Sequence, residues 1–203
     1  MDPMRTRRAE QAEGTRAALI DAARTLFAER GYAEVATEEI VAAARVTRGA
    51  LYYHFEDKRD LFRTVYGIVD RELVQGVAEI AFAEPDPWLR LIAGCDAFLD
   101  ACMDPARRRI VFLDAPSVLG LAEVWTEAEE VASALGVVEA GLQAAVAAGS
   151  IRLTNVSAFA HLVLGALNEA GMFIAHADDP RVARDEMGAA MRELLEGLRA
   201  RRN

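Results

Sequence analysis

The chain has 203 residues, 53% of them hydrophobic and 27% charged, and a formal net charge of −9. This length and composition fit one large folded domain, or a small domain joined to a larger one. No apolar run approaches the roughly 18–20 residues of a membrane span, and the N-terminal residues contain no apolar stretch. We therefore expect neither an integral membrane protein nor a secretory signal.

Three helices are predicted in the first part of the chain. Thr37 is the expected N-cap of the second helix, and Thr47 is that of a short third helix that ends near Phe55. The first helix ends before Gly31, where a C-terminal glycine belongs, and its apolar stripe consists of Leu19, Ile20, Ala23, Leu26 and Phe27.

A long fourth helix is predicted from Lys58, with an apolar side formed by Phe62, Val65, Tyr66, Val69, Leu73, Val77 and Ile80. The sequence EPDPW at 84–88 ends it, and a fifth helix follows. In that helix Cys95 and Cys102 lie two turns apart, about 10 Å, which exceeds the roughly 7 Å limit for a disulfide. Free thiols are typical of a reducing compartment, so we expect a cytoplasmic location.

The remainder of the chain is predicted to be helical as well, and no period-2 alternation indicates a strand. The predicted fold is therefore all-α with about ten helices. The later helices are expected at 107–114, from Pro116 through Trp125, at about 127–148, at about 155–177, and at about 180–200.

Residues 37–55, TEEIVAAARVTRGALYYHF, form the pattern of a helix-turn-helix, whose second helix enters the DNA major groove. Arg48 can reach a phosphate or the O6/N7 edge of guanine. Gly49 and Ala50 keep the groove-facing side small enough for close approach. Leu51 and Phe55 lie on the opposite side, where they hold the helix to its neighbours.

Polar rings follow in the same helix. Tyr52, Tyr53 and His54 can donate hydrogen bonds to phosphate oxygens. Lys58 begins the next helix, whose positive N-terminal end also suits a phosphate. Residues 1–63 hold 11 basic and 11 acidic residues, whereas 64–203 hold 12 and 21, so only the N-terminal quarter is suited to a polyanion.

Catalytic and metal sites are not expected. His54, His161 and His176 are scattered, and no group of Cys and His residues has the spacing of metal ligands. There is no nucleophile motif, phosphate loop or paired acid–base signature. We therefore predict neither enzymatic activity nor a cofactor.

The stretch from about Thr15 to Phe62 closely resembles the N-terminal domain of the tetracycline-repressor (TetR) family of bacterial transcription regulators. The matching features are a first helix that ends in FAERGY, a second helix opened by Thr37, and VTRGALYYHF running into KRDLF. The family usually has Gly where this chain has Arg45. A residue other than Gly strains that turn if its φ is positive.

The resemblance implies specific DNA contacts. Thr37 would bind a phosphate at the start of the second helix. Thr47, Arg48, Gly49 and Ala50 would face bases or nearby backbone. The phosphates would be gripped mostly by Tyr52, Tyr53, His54 and Lys58.

The resemblance also implies two domains, with DNA binding in 1–63 and effector binding and dimerisation in 64–203. The protein would be a homodimer on a palindromic double-stranded operator, joined through the helices at about 127–148 and 155–177. A small apolar or aromatic effector would release it from DNA, as in a repressor. Candidates for lining the effector pocket, for each of which a plain core role stays open, are Trp88, Leu91, Cys95, Phe98, Phe112, Trp125, His161, Asn168 and Phe173.

One alternative stays open at this point: a helical small-molecule sensor or scaffold without specific DNA binding. The sequence contains Thr47, Arg48, Tyr52, His54 and Lys58, which argue against that alternative. It identifies neither the operator nor the effector, and it does not decide between a repressor and an activator.

Overall fold

The computed structural model describes residues 3–120 and 133–199, with side chains from Glu10 onward. Helices dominate these residues, which confirms the all-α prediction, and the one β-type pairing among them is an isolated bridge between Ile151 and Arg199. The helices are α1 (Pro3–Arg30), α2 (Thr37–Ala43), α3 (Arg48–His54), α4 (Lys58–Ala83), α5 (Pro87–Ala101), α6 (Pro105–Arg107, Arg108–Asp114 and Ala115–Val118 in succession), α7 (Ala134–Ala147), α8 (Val156–His176) and α9 (Pro180–Glu196).

Helices α1, α2 and α3 pack against one another, and α1 packs against α4. Phe27 of α1 lies edge-on to Phe62 of α4, with ring centroids 5.3 Å apart, and both side chains are fully buried. Leu51 of α3 is buried in the same core. Burying a side chain of this kind contributes about 1.5–3 kcal/mol, so the two aromatic residues fix α1 to α4 and Leu51 fixes α3 to the same core.

The N-cap residue of the second helix lies one position before the predicted one. Ala36, not Thr37, is the extended N-cap residue, and Thr37 is the first helical residue. Glu39 reaches back so that one of its carboxylate oxygens accepts the Ala36 N–H at 2.9 Å. Arg30 holds the same carboxylate from α1. Because Glu39 already satisfies the backbone N–H at the start of the helix, Thr37 is not needed as a cap.

Helix α4 begins at Lys58, as predicted, and packs mainly against α5. Asp57 caps it by accepting the Asp60 N–H at 2.7 Å. The predicted apolar side is buried from Phe62 to Leu73, but Ile80 near the end of the helix is 57% exposed. The helical period therefore identified the buried face correctly and overestimated how far along the helix it is covered.

Helix α6 differs from prediction in its shape. Arg108–Asp114 form π-helical turns, in which the Ala115 N–H donates to Ile110 O, five residues back. Pro116 stands in the first turn of the α-helical segment Ala115–Val118, as predicted for a helix that it opens, and this segment follows the π-helical turns without a break. Its ring lacks an N–H and clashes with a carbonyl four residues back, so wider turns next to it relieve that conflict. The predicted continuation through Trp125 lies outside the described residues.

The last helices follow the sequence pattern with two corrections. Ser133 is extended and caps α7 by accepting the Gly136 N–H at 3.2 Å, so this helix begins at Ala134, and the part of the prediction from 127 to 132 lies outside the described residues. Helix α8 is long and apolar enough to cross a membrane by length and composition, contrary to our expectation that no run was. Here one side of it is buried against α5, α6, α7 and α9, as in the core helix of a folded protein.

The turn between α2 and α3 contains a strained residue. Arg45 has φ = 57°, in the left-handed region that glycine adopts without strain. The turn thus keeps the conformation that a glycine would give, and the arginine side chain is exposed. Having arginine instead of glycine at position 45 therefore lowers stability without changing the path of the chain.

Replacing Arg45 by glycine is expected to raise the free energy of unfolding by about 1 kcal/mol, because the steric penalty at positive φ is removed. The measurement is the midpoint of urea unfolding at fixed protein concentration. Arg45→Ala is the matched control, since it removes the charge and keeps the Cβ, and it should leave the midpoint nearly unchanged. Equal stabilisation by both substitutions would show that charge, and not φ, sets the cost.

Candidate DNA-reading face and effector cavity

Helix α3 has one buried and one exposed side. Leu51 and Phe55 are buried at 0% and 3% exposure, whereas Tyr53 is 78% exposed and Tyr52 46%. The Thr47 hydroxyl oxygen caps the helix by accepting the Ala50 N–H at 3.2 Å, as predicted. Tyrosine side chains are among the groups that contact phosphates in protein–DNA complexes, so the exposed side of α3 is a candidate interaction surface.

Arg48 is held in place on this surface. Its guanidinium lies 5.6 Å from the centre of the Tyr52 ring and 3.2 Å from a carboxylate oxygen of Glu38. The backbone N–H of Glu38 itself, then the Thr37 hydroxyl and the charge of Arg48 lower the pKa of the Glu38 carboxyl. The arginine therefore carries a carboxylate partner that a phosphate or a guanine edge would have to replace.

Gly49 is exposed beside Arg48, and nothing within the chain requires a glycine there. A Cβ at this position would meet no atom closer than 3.8 Å, namely the Thr47 hydroxyl oxygen. The next residue, Ala50, is also small and half-buried. The small surface at these positions thus leaves room for an outside molecule rather than for a neighbouring helix.

His54 and Lys58 are tied to the protein itself. The His54 ring lies edge-on to Tyr53, with centroids 4.9 Å apart, and is half-buried. Lys58 Nζ donates to the carbonyl oxygens of Tyr32 at 2.9 Å and Val35 at 3.0 Å, and it lies 4.0 Å from the centre of the Tyr32 ring. Lys58 therefore has a structural role that its sequence position did not reveal.

Three further hydrogen bonds connect the N-terminal helices to the end of α6. The Tyr32 N–H donates to Asp114 at 2.8 Å, and the Arg59 guanidinium donates to the carbonyl oxygens of Val118 and Leu119 at 3.0 and 3.1 Å. Burial raises the pKa of Asp114, against the opposing effect of the Tyr32 N–H. These partners are about 60–80 residues apart in sequence, and no local pattern signals them.

A cavity lies between five helices of the C-terminal part. Its wall is apolar except for Arg90, and it encloses about 670 Å³ of atom-free space, including its open mouth. A Cβ on Gly141 would come within 2.9 Å of Leu91, so this glycine permits the close approach of α7 to α5. The lining residues are Leu73, Val74, Val77, Ala81, Phe82, Arg90, Leu91, Gly94, Cys95, Phe98, Ala134, Val137, Val138, Gly141, Val163, Leu164, Leu167 and Leu195.

The structure brings three of the predicted pocket residues together at this cavity: Leu91, Cys95 and Phe98. Sequence reasoning missed the wall residues of α4 and α7, because small aliphatic side chains in helical register look like ordinary core. The other candidates lie elsewhere. Trp88 lies beneath the Arg199 guanidinium, and Phe112 packs against Phe98. His161 and Phe173 are exposed on α8, Asn168 is half-buried on the same helix, and Trp125 is outside the described residues.

No group of three or more His, Cys, Asp or Glu side chains within residues 10–120 and 133–199 is arranged to hold a metal ion. Cys95 and Cys102 are buried free thiols. Burial raises the pKa of each to about 12.

A reading helix held by an N-terminal trihelical core, joined to a helical domain with an apolar cavity, is the architecture of a ligand-responsive regulator. The pattern of "Bacterial regulatory proteins, tetR family" matches residues 19–65, and that of "Tetracyclin repressor-like, C-terminal domain" matches residues 88–198. The chain belongs to this family, the TetR family of transcription regulators, which are not enzymes.

Individual proteins similar to this chain are also TetR-family or transcriptional regulators. A TetR-family transcriptional regulator from Pectobacterium atrosepticum is 32% identical in sequence, with a TM-score of 0.86 over 96% of this chain and 98% of that one. The transcriptional repressor BepR of Brucella suis is 38% identical over 112 residues, 54% of this chain and 52% of BepR. The regulator AcrR of Shigella flexneri is 33% identical over 103 residues, 50% and 48% of the two chains. The chain thus spans about half the length of these two curated relatives.

The buried thiols generate a direct test. At pH 8 a thiol with a pKa of about 12 is ionised in only about 1 molecule in 10,000, and the thiolate is the reactive form. We expect a thiol-reactive dye to label the native protein very slowly and to label both cysteines at once in urea.

The free energy of unfolding should also fall as the pH rises above the ordinary thiol pKa of 9.0, because the unfolded chain then loses protons that the folded chain keeps.

Cys102→Ala and Cys95→Ala each leave one thiol and assign the labelling rates individually. Rapid labelling of Cys95 in the native protein would contradict the burial of this thiol.

Proposed function

We propose that this chain is a DNA-binding transcriptional repressor that acts as a homodimer and is released from its operator by an apolar effector. The observation that carries the DNA-binding part is the division of α3 into a buried side and an exposed aromatic and cationic side. That division is what a helix needs if its inner side is fixed and its outer side enters the major groove. Membership in the TetR family supports the same conclusion.

The proposed DNA contacts divide into two kinds. Thr47, Arg48, Gly49 and Ala50 face the bases and the adjacent backbone at the start of α3. Arg48 is best suited to a guanine edge, where a bidentate contact is worth about 1–3 kcal/mol. The phosphates are contacted by Thr37, Tyr52, Tyr53, His54 and Lys58, and the cation of Lys58 acts from its position on the Tyr32 and Val35 carbonyls.

The effector binds in the cavity, and α4 transmits its presence. Leu73, Val74 and Val77 of α4 line the cavity. At the other end of the same helix, Lys58 is bonded to the α1–α2 turn and Arg59 to the end of α6. A ligand that favours a different position of α4 therefore also favours a different position of α3, and DNA affinity falls.

The dimer surface lies on α8 and α9. Leu162 and Phe173 of α8 are 68% and 46% exposed, and Val182 and Leu194 of α9 are 53% and 50% exposed. Within Ala134–Ala147, by contrast, the large apolar side chains are all buried or half-buried. We therefore assign the second dimer helix to α9, in place of the helix expected at about 127–148, and retain the one at 156–176. Gly165 and Ala166 of α8 let a partner helix approach closely.

The alternative, a helical sensor without specific DNA binding, leaves the exposed Tyr53 and the Arg48–Tyr52 contact unexplained. A sensor that does not read DNA would also have no need for the open space around Gly49.

Arg48→Ala is expected to weaken specific DNA binding about 10- to 100-fold, because one base contact is lost. The measurement is fluorescence anisotropy with labelled DNA from the region that flanks the gene, at two salt concentrations and with random DNA as competitor. Arg152→Ala, which also removes an exposed charge but lies in the α7–α8 connection, should bind as the unaltered protein does. Equal effects of the two substitutions would mean that α3 does not read DNA.

Leu162→Glu is expected to convert the dimer to a monomer, because it places a charge in the centre of the proposed apolar interface. Light scattering after gel filtration should then give the mass of one 22.1 kDa chain instead of two. Leu89→Glu is the matched control, since Leu89 is 49% exposed on α5. A dimer that survives Leu162→Glu would exclude α8 from the interface.

A further inference from the structure

The cavity has one charged wall residue. Among the side chains that line it, only Arg90 can form a hydrogen bond through its side chain, apart from the thiol of Cys95. A polar group of a ligand placed deep in this cavity would lose its hydrogen bonds to water without replacement, at a cost of several kcal/mol. The polar part of any ligand is therefore confined to the neighbourhood of Arg90.

Arg90 is rigidly placed near the junction of α4 and α5. Its Nε donates to the Glu84 carbonyl oxygen at 3.0 Å and its Nη2 to that of Pro85 at 3.5 Å. The guanidinium carbon lies 5.6 Å from the centre of the half-exposed Phe82 ring, and Phe82 also lines the cavity. The group is thus fixed at the edge of the cavity before any ligand arrives, which reduces the entropy lost on binding.

Arg90 has no carboxylate partner among the described residues. Other arginines do: Arg24 pairs with Glu72, and Arg184 with Asp96 and Asp100. The acidic residues next to Arg90 in sequence are used otherwise, since Asp86 caps α5 and Glu84 accepts the Asp86 N–H. A fixed cation without an anion, at the edge of an apolar cavity, is a ready partner for an anionic ligand group.

We infer that the effector is an amphipathic anion, an apolar chain or ring system with a single carboxylate. The apolar part fills the cavity and the carboxylate pairs with Arg90. This inference rests on the proposed function in taking the cavity as the effector site. The excess of acidic residues in 64–203 does not oppose it, because at physiological ionic strength charges farther than about 8 Å are screened, and the contact with Arg90 dominates.

Three probes of equal length test the ligand class: decanoate, decan-1-ol and decylamine. Isothermal titration calorimetry on the full-length dimer should give an affinity for decanoate about tenfold above that for decan-1-ol, with decylamine weakest. Arg90→Gln should remove the preference for decanoate and leave decan-1-ol unaffected. Arg90→Lys should restore part of it, because the charge returns without the planar fork.

Arg71→Gln is the matched control, since Arg71 is exposed on α4 away from the cavity wall, and it should bind all three probes as the unaltered protein does. Val138→Phe, which fills the cavity, should abolish decanoate binding. Circular dichroism confirms that each variant is folded, and Arg90→Gln keeps the test valid if Val138→Phe does not fold.

Equal affinity for decanoate and decan-1-ol, an Arg90→Gln variant that still prefers decanoate, or no decanoate binding at all would each overturn the inference. DNA binding without ligand is measured on the same samples. If the unaltered protein does not bind DNA in the absence of ligand, the proposed function is contradicted, whatever the three probes show.

Discussion

The continuity of helix α4 is the constraint on which the rest of this structure depends. Lys58–Ala83 form one helix of 26 residues, about 39 Å long, whose first turns pack with the N-terminal helices and whose last turns line the cavity. Phe62 and Val65 are buried against the reading head, and Leu73 and Val74 are buried within the C-terminal part. Because one continuous helix contacts both parts, a displacement of α4 along its axis would move the cavity wall and the N-terminal helices together, as the proposed mechanism requires.

The first turn of α4 shows how firmly the two parts are joined. Lys58 binds the carbonyl groups of the α1–α2 turn, and Arg59 binds those at the end of α6. Hydrogen bonds to charged groups contribute about 1.5–3 kcal/mol each. Asp114 adds a bond from α6 to Tyr32 on the opposite side of the same turn. The α1–α2 turn is thus bonded to both α4 and α6, which is the connection that the proposed transmission to α3 requires.

An acidic protein that binds DNA needs a local exception to its overall charge. Residues 1–63 provide it by balancing 11 basic against 11 acidic residues. On the reading face itself Arg48 is paired with Glu38. Breaking an exposed pair of this kind costs about 1 kcal/mol or less, so this carboxylate is only a small obstacle to the base contact proposed for Arg48.

Local signals in the sequence predicted most of the helices and the exposed side of α3. Thr47 caps α3 as expected, and Gly31 adopts φ = 85° at the end of α1. These signals failed where residues distant in sequence determine the local structure. Ala36 replaces Thr37 as the N-cap of α2 because Arg30 and Glu39 meet across the α1–α2 turn. Lys58 binds carbonyl groups more than twenty residues away. The cavity was only partly predictable, since the small aliphatic residues of α4 and α7 that line it are indistinguishable from core residues by pattern alone.

Selection of DNA from a random pool by the purified dimer tests the central claim most directly. Sequencing the bound fraction after several rounds should yield an inverted repeat, because two identical α3 helices related by a two-fold axis read two half-sites. A single asymmetric site, or no enrichment over the starting pool, would contradict the account of this protein as a two-fold reader of DNA.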